Sequence, residues 1–293
     1  MKDISRIFPD KYFDKNNIFY KAWSKKENKN KLPIYLNKVV EIDYSEFYKK
    51  VYKMNELEAT QLVNSLLNGD VYLLKNFYSK NDCNSLIDKV YDIFQTTPEE
   101  FHKIKNGIPD YHRYISIELS KKYSIKLVKQ TYYIFPWNDH KLKLFNNILP
   151  VWRMLKYISG YHADAWEKNL PIDGVVDRIQ VARYPPRDGQ AELHQDPYVF
   201  QKFVISIYLS KKDHDYEGGG FYALTEEKNK VFIDNQVDKG DLFFGFATIK
   251  HGVEPCDVNI SPDKSKKDGR WWIGLYSVET DYVSKRRTAK PIK

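Results

Sequence analysis

Cysteine is almost missing from this sequence: Cys83 and Cys256 are the only two in 293 residues. Two thiols so far apart exclude a cysteine-based zinc finger and a disulfide-stapled scaffold, and they point to a reducing, cytoplasmic setting. Long apolar runs are missing too. No segment approaches the roughly 18 residues a membrane-spanning helix needs, so no membrane partner is expected, and "MKDISRIFPDKYF" (1–13) carries no stretch of secretory-leader type. The formal net charge is +8, yet lysine is spread along the whole chain and the one dense basic block is Lys285–Arg287. Diffuse positive charge attracts any polyanion weakly. Without a binding motif, nucleic acid is not an expected partner. There is no internal repeat and no low-complexity linker, only a charged loop at "SKKENKNKL" (24–32). Residues 1–293 therefore read as a single structural unit.

What is abundant is apolar and aromatic: 42% and 15% of the chain, with 23 tyrosines, enough for a folded core. Residues 1–170 read as mostly helical. Apolar residues recur at helical spacing over 45–69, which ends at a glycine, and over 79–94, where Ser79 and Asp82 make a capping start. A helix is also expected to open at 97–104, and a longer one over 142–160, interrupted or kinked at Pro150. Between the first two, "VYLLKNF" (71–77) is a short strand. From about residue 176 the period changes. "DRIQVARYPP", "KFVISIYLS", "GGGFYAL", "KVFIDNQV", "DLFFGFA" and "RWWIGLYSVET" are short β-branched and aromatic runs separated by Gly, Asp, Asn and Lys. Many short strands so spaced suggest a sandwich or barrel at 171–284, packed on the helical part, with 285–293 a solvated basic tail.

The chemistry sits in "AELHQDPYVF" (191–200). His194 and Asp196 are two apart at the end of an expected strand, so both point to one face. "GDLFFGFATIKHGVEPC" supplies a third ligand, His251, after an apolar strand. Two imidazoles and one carboxylate suit Fe(II), with open positions for a chelating co-substrate and O2. A chelating 2-oxo acid carries a second carboxylate, which needs a cation, preferably a planar bidentate one. Arg270 opens the next strand and shares a face with Trp272, Gly274 and Tyr276.

In order, "RIQVARYPP", "HQD", "YEGGGFYAL", "GDLFFGFATIKHGVEP" and "GRWWIGLYS" resemble the Fe(II)/2-oxoglutarate-dependent dioxygenases over roughly residues 176–280, with some likeness to the phytanoyl-CoA dioxygenase branch. The resemblance implies an α+β chain with a mainly β core. That core would be a double-stranded β-helix (a cupin-like jelly roll) flanked by an N-terminal helical layer. It implies that His194, Asp196 and His251 are catalytic iron ligands, with Fe(II) as cofactor and 2-oxoglutarate and O2 as co-substrates. Arg270 would anchor 2-oxoglutarate. The reaction implied is hydroxylation, desaturation or ring closure at an unactivated C–H of a small molecule, with release of succinate and CO2. The stretch from His251 to Arg270 departs from the family by the insertion "NISPDKSKKDG".

Other residues carry weaker signals. Gln180 and Tyr184 share Arg178's face and are candidates for reaching the co-substrate. His112, Arg113 and Tyr133, in "GIPDYHRYI" (107–115) and "TYYIFPWND" (131–139), are expected on loops over the pocket mouth as substrate residues, with Arg183 as a fourth. A pI of about 9.0 favours an anionic substrate. A second HxD, His162 and Asp164 in "YHADAW", lacks strand spacing. Gly218–Gly220 fits a bend or close backbone approach better than a phosphate loop, because no helix follows. His214 reads as a solvated loop residue, and Trp271 and Trp272 as core. Two alternatives stand beside the oxygenase: a cupin-like isomerase or non-catalytic metal-binding protein, and a protein side-chain hydroxylase. Oligomeric state has no sequence signal.

Overall fold

The computed structural model describes residues 9–28, 31–138 and 142–292. Residues 1–8 of the first stretch, Lys29 and Asn30 of the charged loop, Asp139 at the end of the aromatic stretch and Lys293 of the tail lie outside the described residues. The N-terminal part runs α1 (Ile18–Lys26), β1 (Val39–Asp43), α2 (Tyr44–Val51), α3 (Glu56–Leu67), β2 (Val71–Lys75), α4 (Lys80–Thr96), β3 (Tyr111–Ile115), α5 (Ile117–Ser120), β4 (Leu127–Ile134) and α6 (Leu144–Ile158). The long helix expected over 45–69 is two. Asn55 breaks it by forming a capping box with Glu58, its side chain accepting from the Glu58 N–H while Glu58 accepts from the Asn55 N–H. Ser79 caps α4 as expected, accepting from the Asp82 N–H at 3.1 Å. α6 runs through Pro150, held by the burial of Ile148, Val151, Trp152 and Leu155.

Residues 97–104 are not helical. Thr97 ends α4, and the following chain runs extended beside β3, with Glu99 bridged to His112. Four strands in the N-terminal part join the main sheet: β2 is the strand read at 71–77, while β1, β3 and β4 are not revealed by helical periodicity.

The rest of the chain is β5 (Val175–Tyr184), β6 (Gln190–Gln195), β7 (Phe203–Tyr208), β8 (Gly220–Leu224), β9 (Lys230–Phe232), β10 (Leu242–Phe246), β11 (His251–Glu254), β12 (Arg270–Glu279) and β13 (Lys290–Pro291). Apart from the β8–β9 hairpin, successive strands from β5 on alternate between two sheets. One has the order β10–β7–β12–β5, extended by β2 and β1 at one edge and by β4 and β3 at the other. The second has the order β6–β11–β8–β9. That interleaving of antiparallel strands is a double-stranded β-helix. β4 joins the two sheets by pairing with both β5 and β6. The helices cover the outer face of the larger sheet: Trp271 stacks on Phe94 of α4, and Phe47 of α2 packs on Tyr72 and Phe244. Its inner face is left to the cavity.

Glycines set one corner of the roll. Gly219 and Gly220 have φ of +50° and +102°. A Cβ on Gly219 would lie 2.1 Å from the Pro255 carbonyl oxygen, and one on Gly220 would lie 2.4 Å from an Asp234 carboxylate oxygen. This is the close backbone approach read from the sequence.

The basic tail is not a free solvated end. Lys290 and Pro291 pair with Gln195 and His194, and the Ile292 N–H donates to the Leu193 carbonyl at 3.0 Å. Arg287 and Arg286 anchor the turn before it on Glu279 (2.9 Å) and Asp281 (3.0 Å). An unpaired edge of β6 takes up the passing chain.

Candidate metal centre and its cavity

His194 is the penultimate residue of β6 and His251 begins β11, and the antiparallel register sets them directly opposite each other, ring centroids 4.3 Å apart. Asp196 follows the strand end and is fixed there by its own N–H, which donates to the Ala247 carbonyl at 3.0 Å. Each imidazole is oriented from behind. The Nδ1–H of His194 donates to the Glu192 carbonyl at 2.6 Å, and that of His251 to the Ile249 carbonyl at 2.8 Å. A carbonyl can only accept, so Nδ1 of each ring carries a proton and both Nε2 atoms are left to face the site.

The Nε2 atoms lie 3.7 Å and 3.9 Å from the two Asp196 oxygens. That is too long for a hydrogen bond. It is also within the span of two ligands sharing one ion, since bonds of about 2.0–2.1 Å allow up to about 4.2 Å between them. All three ligand atoms lie within 4.8 Å of one another. Burial, then the neighbouring His194, pushes the His251 imidazole down to about 4. It is neutral at pH 7, as a ligand must be. The donor set fits Fe(II).

The three side chains form one end of a cavity of about 180 Å³ inside the roll. Its apolar wall includes Val204, Phe221, Val253 and Trp272, and its polar wall Lys129, Gln180, Ser206 and Arg270. Gln180 and Tyr184 line it, as their shared face suggested. Arg270 reaches it as expected, but it is also bonded to Asp234: Nε to Oδ2 at 2.5 Å and Nη2 to Oδ1 at 3.1 Å, both side chains buried. Tyr216 donates to the same carboxylate at 2.5 Å. The remaining N–H groups of the guanidinium are not used by Asp234.

Lys129 is the residue sequence reasoning missed. It is 5% exposed and donates to the Gln180 side-chain oxygen at 2.7 Å, with its ammonium 5.4 Å from the Trp272 ring centre. Among the described residues no carboxylate is paired with it. Burial, then the charge of Arg178, pushes its pKa down to about 7. A lysine inside the apolar run "LVKQTYYIF" was the available signal.

The four substrate candidates do not gather at the cavity. His112, Arg113 and Tyr133 stand on β3 and β4, not on loops. His112 faces outward beneath α4, where Nε2 bonds the Thr97 carbonyl at 2.7 Å and the ring meets Phe94. Arg113 lies on the other face of β3, against the Phe101 ring at 4.1 Å. Tyr133 packs with Tyr111 and lies under the Arg178 guanidinium. Arg183 points away from the cavity because alternation along β5 turns it outward. It donates to the Asp268 (2.7 Å) and Asp263 (3.1 Å) carbonyls and so holds the insertion before Arg270. His162 and Asp164 are exposed turn residues, and His214 is exposed beside Asp215. Both thiols are buried, with pKa values pushed up by burial to about 12, and neither forms a disulfide. Among the described residues no helix is long and apolar enough to cross a membrane.

No family model matches the chain, and no curated protein does. Solved structures of similar fold include a Pseudomonas putida prolyl-4-hydroxylase (13% identity, 75% of this chain and 97% of that one, TM-score 0.45). A second is a putative 2OG-Fe(II) oxygenase family protein from Caulobacter crescentus (14%, 82% and 87%, TM-score 0.45). A third is an oxidoreductase of the 2OG-Fe(II) oxygenase family from Burkholderia pseudomallei (14%, 78% and 92%, TM-score 0.42).

Proposed function

We propose that this chain is an Fe(II)- and 2-oxoglutarate-dependent oxygenase acting on an unactivated C–H of a small molecule, with release of succinate and CO2. One observation carries the reading. Two imidazoles and a carboxylate converge on a cavity that two buried basic side chains, Lys129 and Arg270, also line. A Lewis-acid isomerase or a non-catalytic metal protein gives Lys129 no purpose: Arg270 has the Asp234 carboxylate, but Lys129 is buried against a neutral amide, which is costly without an anionic ligand.

His194, Asp196 and His251 would hold Fe(II), which supplies the centre at which O2 is reduced while the 2-oxo acid is decarboxylated. Lys129 and the free donors of Arg270 would take the far carboxylate of 2-oxoglutarate. Gln180 positions Lys129 through their mutual hydrogen bond. Phe221, Val204 and Trp272 exclude water. Burial, then the Asp196 charge, holds the Tyr276 hydroxyl neutral, so it offers a donor beside the metal ligands and adds no negative charge there.

The test is anaerobic addition of 2-oxoglutarate to the Fe(II)-loaded protein, followed by admission of O2. A new visible absorption band and then succinate are expected. His251→Ala should abolish both, and His162→Ala should leave both intact. Absence of the band and of succinate with the wild-type chain would overturn the proposal.

A further inference from the structure

Past Asp196 the cavity continues into a second chamber of about 240 Å³. Asp196, Tyr276 and Ala289 line both spaces. A molecule in the second chamber therefore lies against the Asp196 ligand. Its outer wall is the folded-back C-terminal segment, residues 286–289.

We infer, resting on the oxygenase reading, that this chamber takes the prime substrate and that Arg178 binds an oxyanion on it, a carboxylate or a phosphate monoester. Three observations support this. Arg178 lies on the inner face of β5, two residues before Gln180, and its guanidinium sits over the rings of Tyr133 (4.9 Å) and Tyr276 (5.9 Å). Such ring contacts hold the planar fork in one orientation, the geometry for bidentate oxyanion binding.

Second, the Arg178 Nε is buried without a hydrogen-bond partner, and among the described residues no carboxylate is paired with this side chain. Third, the other arginines of the chamber are already neutralised, Arg287 by Glu279 and Arg286 by Asp281. The unspent positive charge of the chamber is thus at one point, Arg178, in a chamber that the ligand Asp196 also lines. An acid group held there leaves the rest of a small molecule against the metal centre.

The experiment is calorimetric titration of the anaerobic Fe(II)- and 2-oxoglutarate-loaded chain with three six-carbon probes: hexanoate, hexyl phosphate and hexanamide. At least one oxyanion should bind tenfold or more tighter than the amide. Arg178→Gln should bring acid and amide within about twofold, and Arg178→Lys should keep part of the preference. Both variants should bind 2-oxoglutarate like the wild type, which also shows that they fold. The inference is overturned if the amide binds as tightly as the acids, if no probe binds, or if Arg178→Gln keeps the preference. It is equally overturned if that variant loses 2-oxoglutarate affinity instead, which would make Arg178 a co-substrate residue. Failure of the wild type to bind 2-oxoglutarate refutes the oxygenase reading separately, because the acid-over-amide preference and its loss in Arg178→Gln are also measured on the Fe(II)-loaded chain without 2-oxoglutarate.

Discussion

Lys129→Met tests the cavity at its most unusual group. The lysine is buried, has a neutral amide for its hydrogen-bond partner and carries a pKa near 7 in place of 10.5. Between those two values the unfolded chain binds a proton that the folded chain does not. Stability must therefore rise as pH increases from about 7 towards 10.5, and the full cost of burying the charge is felt below pH 7. At about 1.4 kcal/mol per pH unit, the drop corresponds to roughly 5 kcal/mol. Replacing the ammonium by a methionine of similar shape removes that slope. Urea midpoints at pH 6, 7.5 and 9 should show the variant gaining on the wild type as pH falls, most strongly at pH 6.

The same group predicts how the co-substrate binds. If the carboxylate of 2-oxoglutarate meets a protonated Lys129, the competent fraction of free protein falls from about one half at pH 7 to about one hundredth at pH 9. The apparent dissociation constant then rises about 50-fold across that range. Calorimetry at pH 7 in two buffers of different ionisation heat should detect uptake of about half a proton. In Lys129→Met the affinity is lower and the pH dependence is gone. Equal wild-type affinity at pH 7 and pH 9, or an unchanged slope in the variant, would refute the role given to Lys129.

Three further variants separate binding from architecture. Asp234→Ala strands the buried Arg270 charge and should cost about 3–5 kcal/mol, roughly 10 °C in melting temperature, whereas the double variant Arg270→Met/Asp234→Leu should recover much of it while losing about a hundredfold in 2-oxoglutarate affinity. Unchanged co-substrate affinity in the double variant would remove Arg270 from the binding site. Arg183→Ala releases the carbonyls of Asp263 and Asp268 and should make residues 257–269 protease-sensitive with 2-oxoglutarate affinity unchanged; a large loss of that affinity would contradict its placement away from the cavity.

Much of the centre was legible because it rests on local rules. A two-residue spacing on a strand aims His194 and Asp196 together whatever the fold, and a histidine after the apolar run "GDLFFGF" falls at a strand start. The same alternation put Gln180 and Tyr184 on one face of their strand and Arg270 with Trp272 and Tyr276 on one face of theirs, and in the structure these faces line the cavity. It also turns Arg183 outward, one residue from Ala182 on the cavity side. Sequence left this open, because alternation says which residues share a face and not which face is inside.

The sequence by itself determined the ligand types, their strand spacing, the short-strand pattern of the roll and the charge balance. Only the tertiary structure decided which groups meet. The register that sets His251 opposite His194 joins residues far apart in sequence. So do the Asp234 carboxylate on Arg270, the docking of the tail beside His194 and the strand that carries Lys129 inward. Such contacts depend on how two sheets close around a cavity, and no periodicity within one segment encodes them. For the same reason His112 and Arg113, adjacent in sequence and alike in promise, end on opposite faces of one strand, neither lining the metal cavity.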